Sequence, residues 1–128
     1  MARSYTLFLN HDQIPDLGTL QAAIKTLAFR LVMDDSYVPL QSAGYLPCTL
    51  DGEDAGVTIR FDESNKIVGK DTAITLQWSG DPREQVCATI IAATLAHSFA
   101  ATVRFQNQQE ASAETLIADA RKQFSNLD

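Results

Sequence analysis

The apolar residues of this chain fall into short runs and into longer periodic stripes, and the two patterns predict different elements. Runs rich in β-branched and aromatic residues predict strands at 4–9, 74–78 and 101–105. Residues 29–33 are apolar but too few to show a period, so they fit either the end of a helix or a short strand. The stretch 34–44, which contains Pro and Gly, is expected to be a loop or an irregular extended segment.

A β-hairpin is predicted where two alternating segments, 45–50 and 56–61, flank a polar turn. Asp51 and Gly52 open that turn, and Asp-Gly is a strong hairpin signal because Gly adopts positive φ at low cost. Pro47 in the first strand favours a sheet edge or a bulge, since proline has no N–H to donate to a neighbouring strand.

Three helices are predicted by apolar stripes that each follow a capping residue. Asp16 and Ser112 can accept hydrogen bonds from the free amides of a first helical turn. Asp81 can do the same before an alanine-rich stretch, with Pro82 at the first helical position and Glu84 placed as in a capping box. The stripes recur every three or four residues: Leu17, Leu20, Ile24, Leu27 and Leu31; Val86, Cys87, Ile90, Ile91 and Leu95; Leu116, Ile117, Ala120 and Phe124.

The order of these elements predicts one α+β domain over residues 1–128. It runs β-α-β-β-β-α-β-α, without an internal repeat or a linker. Such an order predicts a mostly antiparallel sheet of about five strands with the helices packed on one face. The expected architecture is a ferredoxin-like or related sandwich, and 128 residues are enough to bury a core without disulfides or metals.

The charge of the chain limits the classes of partner that it is expected to bind. The formal net charge is −6, which disfavours nucleic acid and anionic membranes because both bind surfaces rich in Lys and Arg. Residues 1–64 hold nine acidic residues against four basic ones, so an acidic face is expected on elements of the first half. No stretch is long enough to span a bilayer and no signal peptide is evident, so the predicted compartment is the cytoplasm.

Few side chains point to bond-making chemistry. Cys48 and Cys87 lie in apolar patterns and are predicted to be buried free thiols. His11 and His97 are far apart in the sequence, and neither shows the spacing of a zinc site. We therefore predict no catalytic residue, no metal site and no cofactor. A small enzyme stays open as an alternative, in which His97 or Cys48 would line a pocket between helix and sheet.

The acidic turn Asp51, Glu53 and Asp54 allows two interpretations. Its carboxylates could merely keep the hairpin solvated and prevent edge-to-edge association. Alternatively they could steer a basic partner protein to this surface. Tyr45, at the start of the hairpin, fits either an interface anchor or a core position, whereas Trp78 is expected in the core.

Two stretches resemble the small bacterial immunity proteins encoded beside polymorphic or type VI-like secretion-system toxins. The first is GYLPCTLDGEDAGVTIRF, residues 44–61, with a Leu-Pro opening, an Asp-Gly turn, an Ala-Gly pair and an aromatic-ended strand. The second begins with the Trp-ended strand 74–78 and continues through a Gly-Asp helix start and an alanine-rich helix to the Ser-capped final helix. The resemblance covers residues 44–121.

The resemblance implies an antitoxin that binds a cognate toxin and blocks its active site or its assembly. Together with the charge pattern, it predicts a toxin with a basic cleft as the partner. The predicted contact residues are Tyr45, Asp51, Glu53, Asp54, Asp62 and Glu63. The remaining alternative is a homodimer, or a homo-oligomeric structural protein that uses the alanine-rich helix or an open sheet edge.

Overall fold

The computed structural model describes residues 3–106 and 109–127. Within these residues the chain forms seven strands and three α-helices, and a short 3-10 turn spans His11–Gln13. The strands are β1 Arg3–Leu9, β2 Leu31–Met33, β3 Gly44–Leu50, β4 Glu53–Ile67, β5 Lys70–Trp78, β6 Thr102–Phe105 and β7 Glu110–Ala111. The helices are α1 Leu17–Thr26, α2 Pro82–Phe99 and α3 Ala113–Ser125.

The strands join one antiparallel sheet in the order β2-β3-β4-β5-β1-β6-β7. Its register aligns Phe61, Ile74 and Leu7 across the three central strands. Because side chains alternate along a strand, these apolar residues share one face of the sheet and contribute to the core. The face of opposite parity carries polar pairs such as Thr6 and Thr75.

Helix α2 crosses the apolar face of the sheet and forms the centre of the core. Pro82 starts the helix and Asp81 caps it, with a carboxylate oxygen that accepts the N–H of Arg83 at 2.9 Å. Residues 86–95 are all buried, and the alanines among them let the helix approach the strands closely. Helix α2 contacts β1, β3, β4, β5 and β6. No helix in the described part of the chain is long and apolar enough to cross a membrane.

Helices α1 and α3 both contact α2. Each begins where the sequence predicts: Asp16 accepts the N–H of Thr19 at 2.8 Å, and Ser112 accepts that of Thr115 at 3.1 Å. These local caps satisfy amides that have no partner inside the helix, which is why the sequence reveals the helix starts so directly.

The outer edge of β2 is closed by a side chain instead of another strand. Gln21 of α1 donates from its amide nitrogen to the carbonyl of Leu31 at 2.6 Å. Its amide oxygen accepts the N–H of Met33 at 2.9 Å. One carbonyl and one N–H of this short strand are therefore paired with a side chain, which makes the edge less available to another strand.

The predicted α+β class and the antiparallel pairing are confirmed, but the predicted strand number and order are not. The described residues form seven strands instead of about five. Residues 31–33 of the undecided segment become a strand, and the sequence does not reveal β7. Strands β4 and β5 are longer than predicted because the polar stretch between Asp62 and Ala73 pairs through its backbone. A ferredoxin-like arrangement is therefore not confirmed.

Candidate protein-binding site

The β3–β4 turn is fixed to the rest of the molecule at its first residue. Asp51 and Gly52 have positive φ values of 50° and 83°, as in a two-residue hairpin turn. The N–H of Asp51 donates to the carbonyl of Arg30 at 2.8 Å, and its carboxylate accepts from the Arg30 guanidinium at 3.1 Å. These contacts hold the turn against the connection between α1 and β2.

The three carboxylates of the turn differ in what they contact. Asp51 pairs with Arg30, and Glu53 pairs with Arg83 of α2 at 2.5 Å. Asp54 is exposed, and among the described residues it has no ion pair. A basic partner would therefore meet Asp54 as a free charge, whereas Asp51 and Glu53 already have arginine neighbours.

The other two predicted acids lie farther along β4. Asp62 follows Asp54 by eight positions, which is about 26 Å of extended strand. Asp62 pairs with Arg60 at 2.7 Å, and Glu63 is exposed beside a surface cleft. The predicted acidic residues therefore form two separate groups, one at the β3–β4 turn and one farther along β4, and do not form one acidic patch.

Tyr45 is an exposed aromatic side chain that is held in place. The residue is 57% exposed, yet its single O–H is shared between two acceptors, the carbonyl of Ala55 at 3.0 Å and a carboxylate oxygen of Glu84 at 3.3 Å. A Cβ on Gly56 would clash with that hydroxyl, so the glycine provides room for the ring. Partial burial and then the Glu84 carboxylate raise the pKa of Tyr45.

The β2–β3 loop, residues 34–43, is anchored in the core by one tyrosine. Tyr37 is 4% exposed, and its hydroxyl donates to the carbonyl of Pro15 at 2.9 Å. Its ring lies with its centroid 6.4 Å from that of Phe61 on β4. Burial raises the pKa of Tyr37. The loop is therefore attached both to the segment before α1 and to the sheet.

Hydrogen bonds inside the β2–β3 loop fix its backbone. The hydroxyl oxygen of Ser42 accepts the N–H of Val38 at 2.7 Å, and the same hydroxyl donates to the carbonyl of Ser36 at 3.0 Å. The carboxylate of Asp34 accepts the N–H of Ser36 at 3.0 Å. Hydrogen bonds from the side chain and then from the N–H of Ser36 lower the pKa of Asp34. The segment is irregular, as predicted, but it is well connected.

A histidine–aspartate pair lines a surface cleft of about 620 Å³. Nδ1 of His11 lies 2.7 Å from one carboxylate oxygen of Asp71, and the N–H of His11 donates to the other at 2.8 Å. The hydrogen bond between the side chains raises the pKa of His11 and lowers that of Asp71. The sequence does not reveal this pair, because 60 positions separate the two residues.

The other candidate residues are the two cysteines, His97 and Trp78. Cys48 and Cys87 are buried and free, as predicted. A hydrogen bond with Cys48 and then burial raise the pKa of Cys87, so its thiol is protonated at neutral pH. His97 is exposed near the end of α2, with Nδ1 3.3 Å from the hydroxyl of Ser98. Trp78 is 4% exposed, which confirms its predicted core position.

Comparisons of the chain with protein-family models, with curated proteins and with solved structures found no match. Over residues 3–106 and 109–127, no group of three or more His, Cys, Asp or Glu side chains is arranged to hold a metal ion.

Proposed function

We propose that this chain is an immunity protein, an antitoxin that binds a cognate bacterial toxin and covers its active site. The resemblance of residues 44–121 to that class supports the proposal, and one structural observation carries it. Tyr45 is 57% exposed, but Ala55, Gly56 and Glu84 hold its ring in one place. An aromatic side chain that is ordered before binding loses little conformational entropy, which suits an interface anchor.

The charge of the surface suggests the chemistry of the partner. The chain carries a net charge of −6, and Asp54 and Glu63 are exposed acids without an ion pair in the described part of the chain. These charges favour a toxin with a basic cleft, because complementary charge speeds the encounter of two proteins. We place this inhibition in the cytoplasm of the bacterium that makes the toxin.

The test of this proposal uses the protein encoded by the neighbouring reading frame as its probe. Isothermal titration calorimetry compares its affinity for the wild-type chain and for Tyr45→Ala. The control is Val68→Ala, because Val68 is fully exposed at the β4–β5 turn. We expect Tyr45→Ala to weaken binding about 30-fold, a hot-spot effect of roughly 2 kcal/mol, and the control to bind like the wild type. A wild-type chain that does not bind the probe contradicts the proposal.

The role of charge is tested best at Asp54. Asp54→Lys breaks no described ion pair, whereas reversing Asp51 and Glu53 also separates them from Arg30 and Arg83. We expect slower association and a weaker dependence of the association rate on salt, measured by stopped-flow at two ionic strengths. Association rates that stay unchanged even when Asp51, Glu53 and Asp54 are all replaced by Lys would remove the β3–β4 turn from the interface.

The His11–Asp71 pair supports a second candidate function, a small hydrolytic enzyme. Asp71 orients the His11 ring through Nδ1, which leaves Nε2 for a general base, and Ser64 lines the same cleft. The purified chain would then hydrolyse an activated ester, and His11→Gln would lose that activity. A wild-type rate equal to that of His11→Gln would exclude His11 as a base for such substrates.

A further inference from the structure

The β2–β3 loop holds two apolar side chains in solvent. Val38 and Leu40 are 42% and 46% exposed. The loop is ordered where they lie, since Ser42 bonds the N–H of Val38, and Gln41 donates its N–H to the carbonyl of Val38 at 3.1 Å. Exposed apolar side chains on an ordered loop are typical of binding surfaces.

Leu40 has a backbone conformation that its side chain disfavours. Its φ is 67°, in the left-handed region where the Cβ of an L-residue crowds the following carbonyl oxygen. Gly or Asn would adopt this conformation at lower cost. Because nearly half of the residue is exposed, its burial offsets little of that cost. Strain of this kind is typical of functional positions.

Leu40 and Tyr45 lie along the same part of the sheet. Leu40 lines the cleft that also contains Glu63 of β4. Tyr45 of β3 pairs with Thr58, which is also on β4. Tyr45 also lines a second surface cleft, together with Ser36 and Ser42 of the loop. Tyr37 connects the loop to β4 through Phe61. The exposed residues of the loop and Tyr45 therefore border one surface.

Acidic side chains border this apolar surface. Asp34, Asp35 and Glu63 are exposed, and Glu84 lies beside the Tyr45 hydroxyl. A second copy of the chain would bring the same acids against each other, which costs binding free energy. The charge therefore favours a different protein, one that offers an apolar depression bordered by Lys or Arg.

We infer that Val38, Leu40 and Tyr45 form the apolar centre of the inhibitor's interface and insert into such a depression on the toxin. This inference rests on the proposed function and moves the main contact from the acidic β3–β4 turn to the β2–β3 loop. The turn and Glu63 then act as charged surroundings that guide association, while the apolar residues slow dissociation.

The experiment combines binding and stability for two loop variants. Leu40→Asn keeps a residue that tolerates positive φ, and Val38→Ser replaces an exposed apolar side chain with a smaller polar one. Val68→Ser is the matched control, an exposed valine on another turn. The probe is the purified protein from the neighbouring reading frame. We expect each loop variant to lose affinity about 10- to 100-fold, with thermal midpoints equal to or above the wild-type value, and the control to bind unchanged.

The other outcomes separate this inference from the proposed function. If the probe binds and Asp54→Lys weakens binding while both loop variants bind like the wild type, the inference is overturned and the proposed function stands. If Leu40→Asn lowers the thermal midpoint by about 5 °C or more, Leu40 is a structural residue and the inference is also overturned. If the probe does not bind the wild-type chain, both fail. Light scattering that shows a dimer dissociated by Leu40→Asn would identify a second copy as the occupant and contradict the inference.

Discussion

Helix α2 and the β2–β3 loop lie on the same molecule but are held in place by different forces. Residues 86–95 of α2 are buried against the sheet, so burial of apolar surface fixes the helix. The loop has one buried anchor, Tyr37, and is otherwise held by hydrogen bonds of Ser42 and Asp34. Its apolar residues Val38 and Leu40 stay exposed.

The difference indicates that, in a chain with few candidate catalytic residues, the binding function is to be sought in the loop and not in the core. In the core, side-chain burial and backbone conformation favour the same structure. In the loop, the φ of Leu40 opposes stability and the exposed Val38 adds little to it, so hydrogen bonds and the buried Tyr37 hold the segment in place. A disagreement of this kind between local conformational preference and stability is expected where a surface binds a partner. The following experiments test the contrast between the two regions.

The largest loss of stability is expected in the core. Leu7→Ala removes a fully buried side chain that pairs with Ile74 and Val103, and should lower the free energy of unfolding by about 3 kcal/mol. Val68→Ala, at a fully exposed position, should change it by less than about 0.5 kcal/mol. Urea denaturation measures both. Equal effects would show that the core contributes less than the burial pattern indicates.

A smaller loss of stability is expected from a change at Gly56, which lies against the Tyr45 hydroxyl. Gly56 has a φ of 155°, and a Cβ there would meet the Tyr45 hydroxyl and approach the carbonyl oxygen of Leu46 to 2.8 Å. Gly56→Ala should therefore cost about 2 kcal/mol of stability. Adding Tyr45→Ala removes one of the two clashes, so the double variant should recover part of the loss relative to Tyr45→Ala alone. Strict additivity of the two changes would show that the ring does not depend on the glycine.

Tyr37, the anchor of the β2–β3 loop, is expected to contribute less to the stability of the chain than Gly56 does. Tyr37→Phe removes the hydrogen bond to the carbonyl of Pro15 and leaves that acceptor unsatisfied near the core, at a cost of about 1 kcal/mol. Tyr45→Phe is the matched control, because the Tyr45 hydroxyl is more accessible to water and should cost less. Hydrogen exchange should also become faster in residues 34–43 of Tyr37→Phe. Unchanged exchange there would mean that the loop does not depend on its tyrosine.

The smallest effect is expected at the His11–Asp71 pair, whose side chains are 63% and 52% exposed. The pKa of His11 is raised above 6.5, so its contribution to stability is present below pH 6.5 and is lost as pH rises through the raised pKa. The pKa of Asp71 is lowered below 3.8, so its contribution is lost only as pH falls below 3.8. The difference in thermal midpoint between wild type and Asp71→Asn should therefore be largest between these limits. A difference in thermal midpoint that does not vary with pH would contradict this role of the pair.

Local signals in the sequence predict much of this fold. Asp16, Asp81 and Ser112 cap the three helices because a capping hydrogen bond needs only neighbouring residues. The Asp51-Gly52 turn is predicted for the same reason. The capping-box role of Glu84 is not observed, since its carboxylate accepts a hydrogen bond from Tyr45 across 39 positions.

Features that depend on distant residues or on unusual backbone angles cannot be predicted from the sequence. The polar hairpin around Val68 pairs through main-chain groups, so it has no apolar pattern to reveal it. The contact between His11 and Asp71 exists only because β1 and β5 are neighbours in the sheet. Nothing in the sequence around Leu40 signals a positive φ, because Gly and Asn are the residues that normally indicate one.

We propose that the surface of the β2–β3 loop and Tyr45 contacts a toxin. This contact can be measured by hydrogen–deuterium exchange of the chain, alone and bound to the protein from the neighbouring reading frame. We expect slower amide exchange on binding in residues 36–46, with smaller changes at the Asp51-Gly52 turn. A stable complex in which residues 36–46 exchange as in the free chain, with protection confined to other elements, would contradict it.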